Sequence, residues 1–542
     1  MFMKNIKFIV PILAFSLFSC NDYLDINETT NNLEFDQVTP RQLLPGAEVT
    51  TFRVQVTTMN QLGNVFMNSW TRNVQSYGNG FDNELQLNMS NAFYSGIWDG
   101  LFRNLKNFDA IIKYPNPDGK YDYYVAAAKI CKAHYMQYIV DLYGDAPYSE
   151  AWEGNSNTTP KYDDDYAIYQ DLVANLEDAR DLINNADPAV AEDMSGVDVM
   201  LQGDTDRWIE FANTIQLRMM LRLSETTGAV ATYRDSKLAD IAAGPFLSDN
   251  VAINPGYNSS TDASANPAFN TFAIDVAGNA RGNRNFITMT GHAYKALQSY
   301  ATTNYPAAGS QEIIAGSGVN YPNVTDPRSG RLFTAGASQP IRRAVTQGAS
   351  FVTVGAPGTY PGLPCRLGLI GNFNPYAMAP NQTIGEYSAI DSFVMTYSEA
   401  CFLQAEAAVR YPALFSNEQY FFDEGILDNM YLRVATPGSY IATINTKPNF
   451  GLAASTTTAQ KLHAIMYQKW VANMGLHAIE SYIDYTRTGY PLTPLPTVAT
   501  QARKPYRLIY PTSEYIANSA NVPAMVAADV FVINSKTPFW KQ

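Results

Sequence analysis

The sequence predicts a mostly α-helical protein, in which pairs of antiparallel helices form a scaffold carrying long, irregular, loop-rich insertions. Three observations carry that expectation. Apolar residues recur at three-to-four spacing through several long stretches. These stretches come in pairs, and the pairs recur along the chain as they do in helical repeat arrays. From about residue 244 to 390 the periodicity lapses and Gly, Asn, Pro, Ser and Thr dominate. A long irregular segment on a helical frame is usually functional.

In chain order, residues 1–19 read as a secretory signal peptide. Lys4 and Lys7 precede an apolar run from Phe8 to Phe18. That run is shorter than the roughly 20 residues a membrane-spanning helix needs. It stops at Leu17-Phe18-Ser19-Cys20, which resembles the lipobox of bacterial lipoproteins and implies cleavage before Cys20 and acylation of it. The polar, acidic residues that follow resemble the export signal of surface lipoproteins in Bacteroidetes-type bacteria. Residues 20–38 are then a lipidated tether, and 39–542 a single domain.

Thr39-Pro40 opens a helix predicted to reach about Leu62, with Pro at the first helical position. Phe93, Ile97, Leu101, Leu105, Phe108 and Ile112 stripe one helix over 91–113. After the break at Pro115 to Gly119, Val125, Ala128, Cys131, Tyr135 and Ile139 stripe its partner over 121–142, which makes an αα-hairpin. Asp163, Asp164 and Asp165 place acids at the positive end of the next helix, striped by Ile168, Leu172, Leu176, Ala179 and Ile183. Metal binding is the alternative use of these acids, although their spacing is not that of a calcium loop. Thr205 to Ser224 is the partner helix. Asp391–Arg410 and Ser416–Leu432 form another pair, and a last long helix covers Thr458 to Ile483. Inside the insertion, Phe286 to Tyr300 is predicted helical, and the tail from Pro491 is mostly loop. The repeats match the tetratricopeptide consensus only in a degenerate way.

Lys and Arg total 37 against 50 Asp and Glu, a net charge of −13, which argues against a general nucleic-acid binder. Charged residues make up only 16% of the chain and aromatics 13%. A surface of rings and amides suits stacking on sugars or docking a protein. Besides Cys20 there are Cys131, Cys365 and Cys401, an odd set with no zinc spacing. Cys131 and Cys401 fall on helical faces and read as buried small hydrophobes. After the signal peptide, no run is long and apolar enough to cross a membrane.

Catalytic signatures are missing from the sequence: there is no H-E-x-x-H, G-x-S-x-G, P-loop or C-x-x-C. The four histidines, His134, His292, His463 and His477, are scattered; His463 and His477 are too far along one helix to share a metal. No enzyme activity, cofactor or resident metal is expected. The alternative is a lipid-anchored surface hydrolase, since two of the 50 acids could meet as a glycosidase pair. Arg218 and Arg222 share a helix face, as do Glu399 and Glu406, and ion pairs within the scaffold are their expected use. For Glu480, Asp484 and Arg487, local pairing near the end of the last helix suffices. Trp98, Trp208 and Trp470 are assigned to the core.

The phrase DLYGDAPYSEA from Asp141 to Ala151 resembles the end of the first repeat in the SusD/RagB family of outer-membrane nutrient-binding lipoproteins. Four further stretches resemble that family in its order: Gly203–Arg222, Met395–Arg410, Gln468–Pro491 and Pro505–Asn521. Between Gly244 and Ile390 little beyond Asp326-Pro327-Arg328 is similar. The resemblance implies a tetratricopeptide-like scaffold with irregular insertions on one side. It also implies a place on the outer face of the outer membrane, capping a SusC-like TonB-dependent transporter and delivering oligosaccharides, or in some members peptides. A periplasm-facing solute-binding lipoprotein is the rival, but it would show alternating strand and helix signals.

Ligand contacts are expected from loop aromatics ringed by amides and Arg. Trp70, Tyr77 and Asn79 lie before the first repeat, and Trp152 just after the turn motif. Tyr257, Phe269, Phe272, Arg281, Arg284, Asn285, Tyr321 and Tyr360 lie in the insertion. For each of these, packing is the competing reading.

Overall fold

The structure is a computed structural model that describes residues 38–74, 77–299, 319–334, 344–350, 366–367 and 384–542. The signal peptide, Cys20 and most of the tether lie outside the described residues, as do Cys365, Tyr360 and the remainder of the insertion.

Helix α1 (Pro40–Val54) starts where Gln42 accepts a hydrogen bond from the Thr39 amide at 2.9 Å, which satisfies one of the orphan donors of a helix start. It passes through a π turn (Gln55–Met59) into α2 (Asn60–Phe66), so the predicted first helix runs one turn further than expected. Strand β1 (Trp70–Arg72) follows. The hairpin appears as α3 (Ser95–Lys113) and α4 (Asp122–Tyr143), then α5 (Asp165–Asn185) and α6 (Thr205–Arg222). Asp164 caps α5 and Asp204 caps α6, each accepting a backbone N–H three residues on. Gly144 ends α4 at φ +74°, in the left-handed region that favours glycine.

Helix α7 (Gly228–Ile241) was not expected; it buries only Arg234, Leu238 and Ile241, too narrow a stripe to announce itself. The insertion contributes β2 (Val251–Ile253), α8 (Pro267–Phe272), β3 (Ile287–Met289) and α9 (Gly291–Leu297). The helix predicted over 286–300 is thus a strand followed by a shorter helix. β-Branched Ile287 and Thr288 pair with β1, and Thr290 caps α9 through the Ala293 amide. The predicted start at Asp391 is also strand, β4 (Ser392–Met395), pairing with β2; α10 (Tyr397–Arg410) begins only at its cap, Thr396. It is followed by α11 (Glu418–Leu432). The last long helix is two, α12 (Thr458–Asn473) and α13 (Ala478–Thr488), broken where Gly475 takes φ +73°.

Consecutive helices pack in sequence from α3 to α7, and α1 lies on α3. A second stack of α10, α11, α12 and α13 closes against the first through α6–α10 and α2–α13 contacts. The α2–α13 crossing depends on Gly63, where a Cβ would stand 2.2 Å from the carbonyl carbon of Ala478. A cluster of buried apolar side chains runs from Leu44 to Trp540 and includes Trp98, Trp208 and Trp470. Cys131 and Cys401 are free and buried.

Charges knit the two stacks together. Arg222 reaches Asp141 at 3.1 Å, Glu480 at 2.8 Å and Asp484 at 3.1 Å. Arg218 donates to the Tyr138 hydroxyl at 2.9 Å and lies 3.5 Å from Glu480. His477 bridges Tyr138 and Glu399, and Arg487 joins Glu406 at 2.6 Å to Asp484 at 3.0 Å. Burial alone would raise the Glu480 carboxyl, but Arg222 and Arg218 outweigh it and hold the group well below its usual range. Scaffold ion pairs are therefore present: Asp484 and Arg487 pair locally as expected, and the same groups join a network across four helices.

The insertion is held by Arg328, whose guanidinium pairs with Asp326 at 2.7 Å and donates to Gln468 of α12 at 2.7 Å. The Asp326 amide bonds the Leu297 carbonyl at 2.9 Å.

Candidate ligand-binding site

Where α1 becomes the π turn, a groove of about 360 Å³ opens against α8. One wall is Arg53, Thr57, Thr58 and Gln61; the other is Pro267, Asn270, Thr271 and Phe272. A π turn carries an extra residue and often marks a functional site. Here Gln55 on its buried side donates to the Val394 carbonyl at 2.8 Å, which locks the turn to β4. Asn266 fixes the opposite wall by accepting from the Ala268 and Phe269 amides at 2.9 and 3.1 Å. Both walls are therefore placed before any ligand arrives.

The polar groups continue outward from the groove. Gln61 donates to the Tyr94 hydroxyl at 2.9 Å, which donates to Glu84 at 2.9 Å. Asn270 accepts from Arg281, itself paired with Asp262 at 2.7 Å. Arg53 is exposed and makes no ion pair among the described residues.

One ring, Phe272, lines the groove. Trp70 on β1 meets Phe272 edge-on at 5.2 Å. Tyr77 and Phe81 both pack on Phe286, at 5.3 and 4.8 Å. Trp70, Tyr257, Phe269 and Arg284 are buried, and none of the four lines the groove. Burial pushes the Tyr257 hydroxyl up, and that hydroxyl has no hydrogen-bond partner among the described residues. Asn79 is exposed and Tyr77 half-buried, and neither lines the groove. Tyr321 lies apart, bonding His292 Nδ1 at 2.8 Å over Trp470. Burial lowers His292 to about 3, so it is neutral at physiological pH.

Of the acids at the start of α5, Asp164 and Asp165 cluster with Asp145, while Asp163 turns away to accept from the Tyr148 and Ser149 amides. Oxygens of Asp145, Asp164 and Asp165 lie within 4.8 Å of one another, yet each accepts a backbone N–H, from Asp165, Ala167 and Phe539 respectively. Burial pushes Asp165 up to about 7, which weakens it further as a metal ligand.

The family model described as starch-binding, associating with outer membrane, matches residues 30–272 and 339–511. The chain belongs to the SusD-like family. Among solved structures, a chitin-binding SusD homolog from Flavobacterium johnsoniae is 21% identical, with a TM-score of 0.66 over 92% of this chain and 98% of that one. A SusD homolog from Parabacteroides distasonis is 16% identical, with a TM-score of 0.69 over 94% and 98%. A SusD/RagB family protein from Bacteroides thetaiotaomicron is 19% identical, with a TM-score of 0.63 over 93% and 99%. No curated protein matches the sequence.

In this SusD-like chain the groove residues Arg53, Thr57, Thr58 and Gln61 were not singled out from sequence. They sit inside a predicted helix. The available signal was a polar run, Gln55 to Gln61, broken only by Val56 and Met59, where a buried helix should show an apolar stripe. Asn270 and Thr271 lie between two aromatics that were singled out, Phe269 and Phe272.

Proposed function

We propose that this SusD-like protein is a lipid-anchored, surface-exposed binding protein that captures a glycan in the groove between the π turn and α8. The glycan would pass to a SusC-like TonB-dependent transporter in the outer membrane. The observation that carries this reading is the groove itself: preset walls of amides and hydroxyls, the Phe272 ring, and the Arg53 guanidinium, which makes no ion pair among the described residues. Such a mixture suits a sugar, whose ring offers an apolar face and a rim of hydroxyls. The family description names starch and one solved relative binds chitin, which favours a glycan over a peptide. The chemistry described is that of holding rather than turning over a substrate. Transporter and anchor rest on the family resemblance and on Cys20 at the end of the signal run. No helix among the described residues is long and apolar enough to cross a membrane, which leaves the lipid as the proposed attachment.

The decisive experiment is calorimetric titration of the soluble protein, beginning at residue 21, with starch-, chitin- and uronate-derived oligosaccharides and with peptides. Saturable binding of one glycan, weakened by Asn270→Ala with Gln61→Ala, is expected. Binding of peptides alone, or turnover of a glycan, would replace this reading. In cells, Cys20→Ala is expected to release a folded protein from the membrane fraction; retention without the transporter present would remove the anchor.

A further inference from the structure

Five of the six tryptophans are at most 4% exposed. Trp152 is the exception: it is half-buried and lines a hollow of about 240 Å³ against the C-terminal half of α3. We propose that this hollow is a second carbohydrate subsite, separate from the groove, which holds one sugar ring of the same polymer. The inference rests on the glycan reading above for the class of ligand, but not on the groove's residues.

The ring is held in place by its surroundings. Trp152 adopts φ +61°, the left-handed region a bulky residue seldom occupies. Its Nε1–H donates to the Phe102 carbonyl at 2.8 Å. The Lys132 ammonium lies 4.9 Å from the Trp152 ring and 5.0 Å from the Tyr148 ring, while pairing with Asp109 at 2.8 Å. One part of the indole is thus fixed by protein contacts, and another part is left to line the hollow. Tyr114 and Pro115 add apolar wall. Lys113 stands at the exposed edge of the hollow as a charged donor, paired at 2.8 Å with the buried Asp109, whose other oxygen pairs with Lys132. An aromatic platform with a few convergent polar groups is the pattern of a sugar subsite. The volume falls below the usual range for a drug-sized ligand, which suits a single ring.

The two sites share no lining residue. Gln61 of the groove bonds Tyr94, at the start of α3, whereas the hollow begins at Lys106, about 18 Å further along the axis at 1.5 Å per residue. A polymer that engages both sites gains avidity, because the second contact forms within an already bound complex. A short oligosaccharide engages one.

The test uses the full soluble chain and measures two quantities: retention in native gels containing each polysaccharide of the panel, and calorimetric affinity for the matching short oligosaccharide. Trp152→Ala is expected to reduce polymer retention by about tenfold or more, leaving short-oligosaccharide affinity within twofold. The groove double variant, Asn270→Ala with Gln61→Ala, is expected to weaken both. Should Trp152→Ala unfold the turn, seen as a lowered melting temperature, Tyr114→Ala with Lys113→Ala replaces it. As a direct readout, polymer is expected to shift the Trp152 indole N–H resonance even in the groove double variant. Unchanged retention and an unmoved indole signal overturn the second subsite and leave the groove intact. Unchanged retention with loss of transporter co-purification makes the hollow a protein contact, which also overturns it. If the wild type is retained by no polymer, this inference and the glycan reading fall together.

Discussion

In the helical body, Arg222 is held by three carboxylates from α4 and α13, all buried. In the loop-rich face, Asn266 and Asn254 hold the chain by bonding backbone carbonyls and amides: Asn266 reaches Ile390 at 2.9 Å, and Asn254 reaches Ala389 at 3.0 Å. The first arrangement is cooperative. Removing one member strands several charges in a low-dielectric interior. The second is local, since each amide satisfies its own turn and answers to few others. One molecule thus combines a frame that resists change with a face that can be rewritten residue by residue, which suits a family whose ligands differ.

The sharpest way to break that contrast is Arg222→Ala. It leaves Asp141, Glu480 and Asp484 without their shared cation, and a loss of about 3–5 kcal/mol is expected in denaturant melts. A loss under 1 kcal/mol would show that the body is as locally organised as the face.

Acid comes next. Glu406, Glu480 and Asp484 are held below their usual range because neighbouring cations outweigh burial. Groups with depressed folded values contribute stability above their unfolded values, and that stability is lost as pH falls through the folded ones. Melting temperature should therefore drop steeply below about pH 4, with Glu480→Gln flattening the drop. Glu48 behaves in the opposite way: burial and nearby Asp198 raise it, so its contribution is full below its unfolded value and fades as pH rises. Glu48→Gln, which keeps a donor for Asp198, should raise the melting temperature at pH 8 and leave it unchanged at pH 4.

Gly63→Ala probes the seam between the two stacks. The new Cβ meets the backbone of Ala478, which cannot rotate away, and about 1–3 kcal/mol of destabilisation is expected by calorimetry. The smallest effect on stability belongs to the face. Asn270→Ala with Gln61→Ala should shift the melting temperature little while lowering glycan affinity about tenfold, about 1.4 kcal/mol.

The helix pairs were legible because their apolar stripes are long and regular; Phe93 to Ile112 and Ile168 to Ile183 sit in the core as spaced. The break before α13 was not, because apolar residues continue across it and only Gly475 marks the turn. The members of the charge network were each visible, but residues as distant in sequence as Asp141 and Glu480 do not declare a shared partner. In the candidate site the difficulty was different. Loop aromatics look alike in sequence, and whether a ring faces ligand or core depends on what covers it. Trp70 is covered by Phe272, whereas Trp152 borders an open hollow.

Leu297 and Asp326 are joined by one backbone hydrogen bond, and Arg328 fastens that junction to α12. Gln298 adds a bond to Ser329 at 2.7 Å, and Ser299 adds bonds to Thr325 and Asn323, both at 3.2 Å, so the end of α9 and the Asp326 turn clasp each other. Through Arg328 that clasp leans on α12, which makes one guanidinium the strut between the loop-rich face and the helical body.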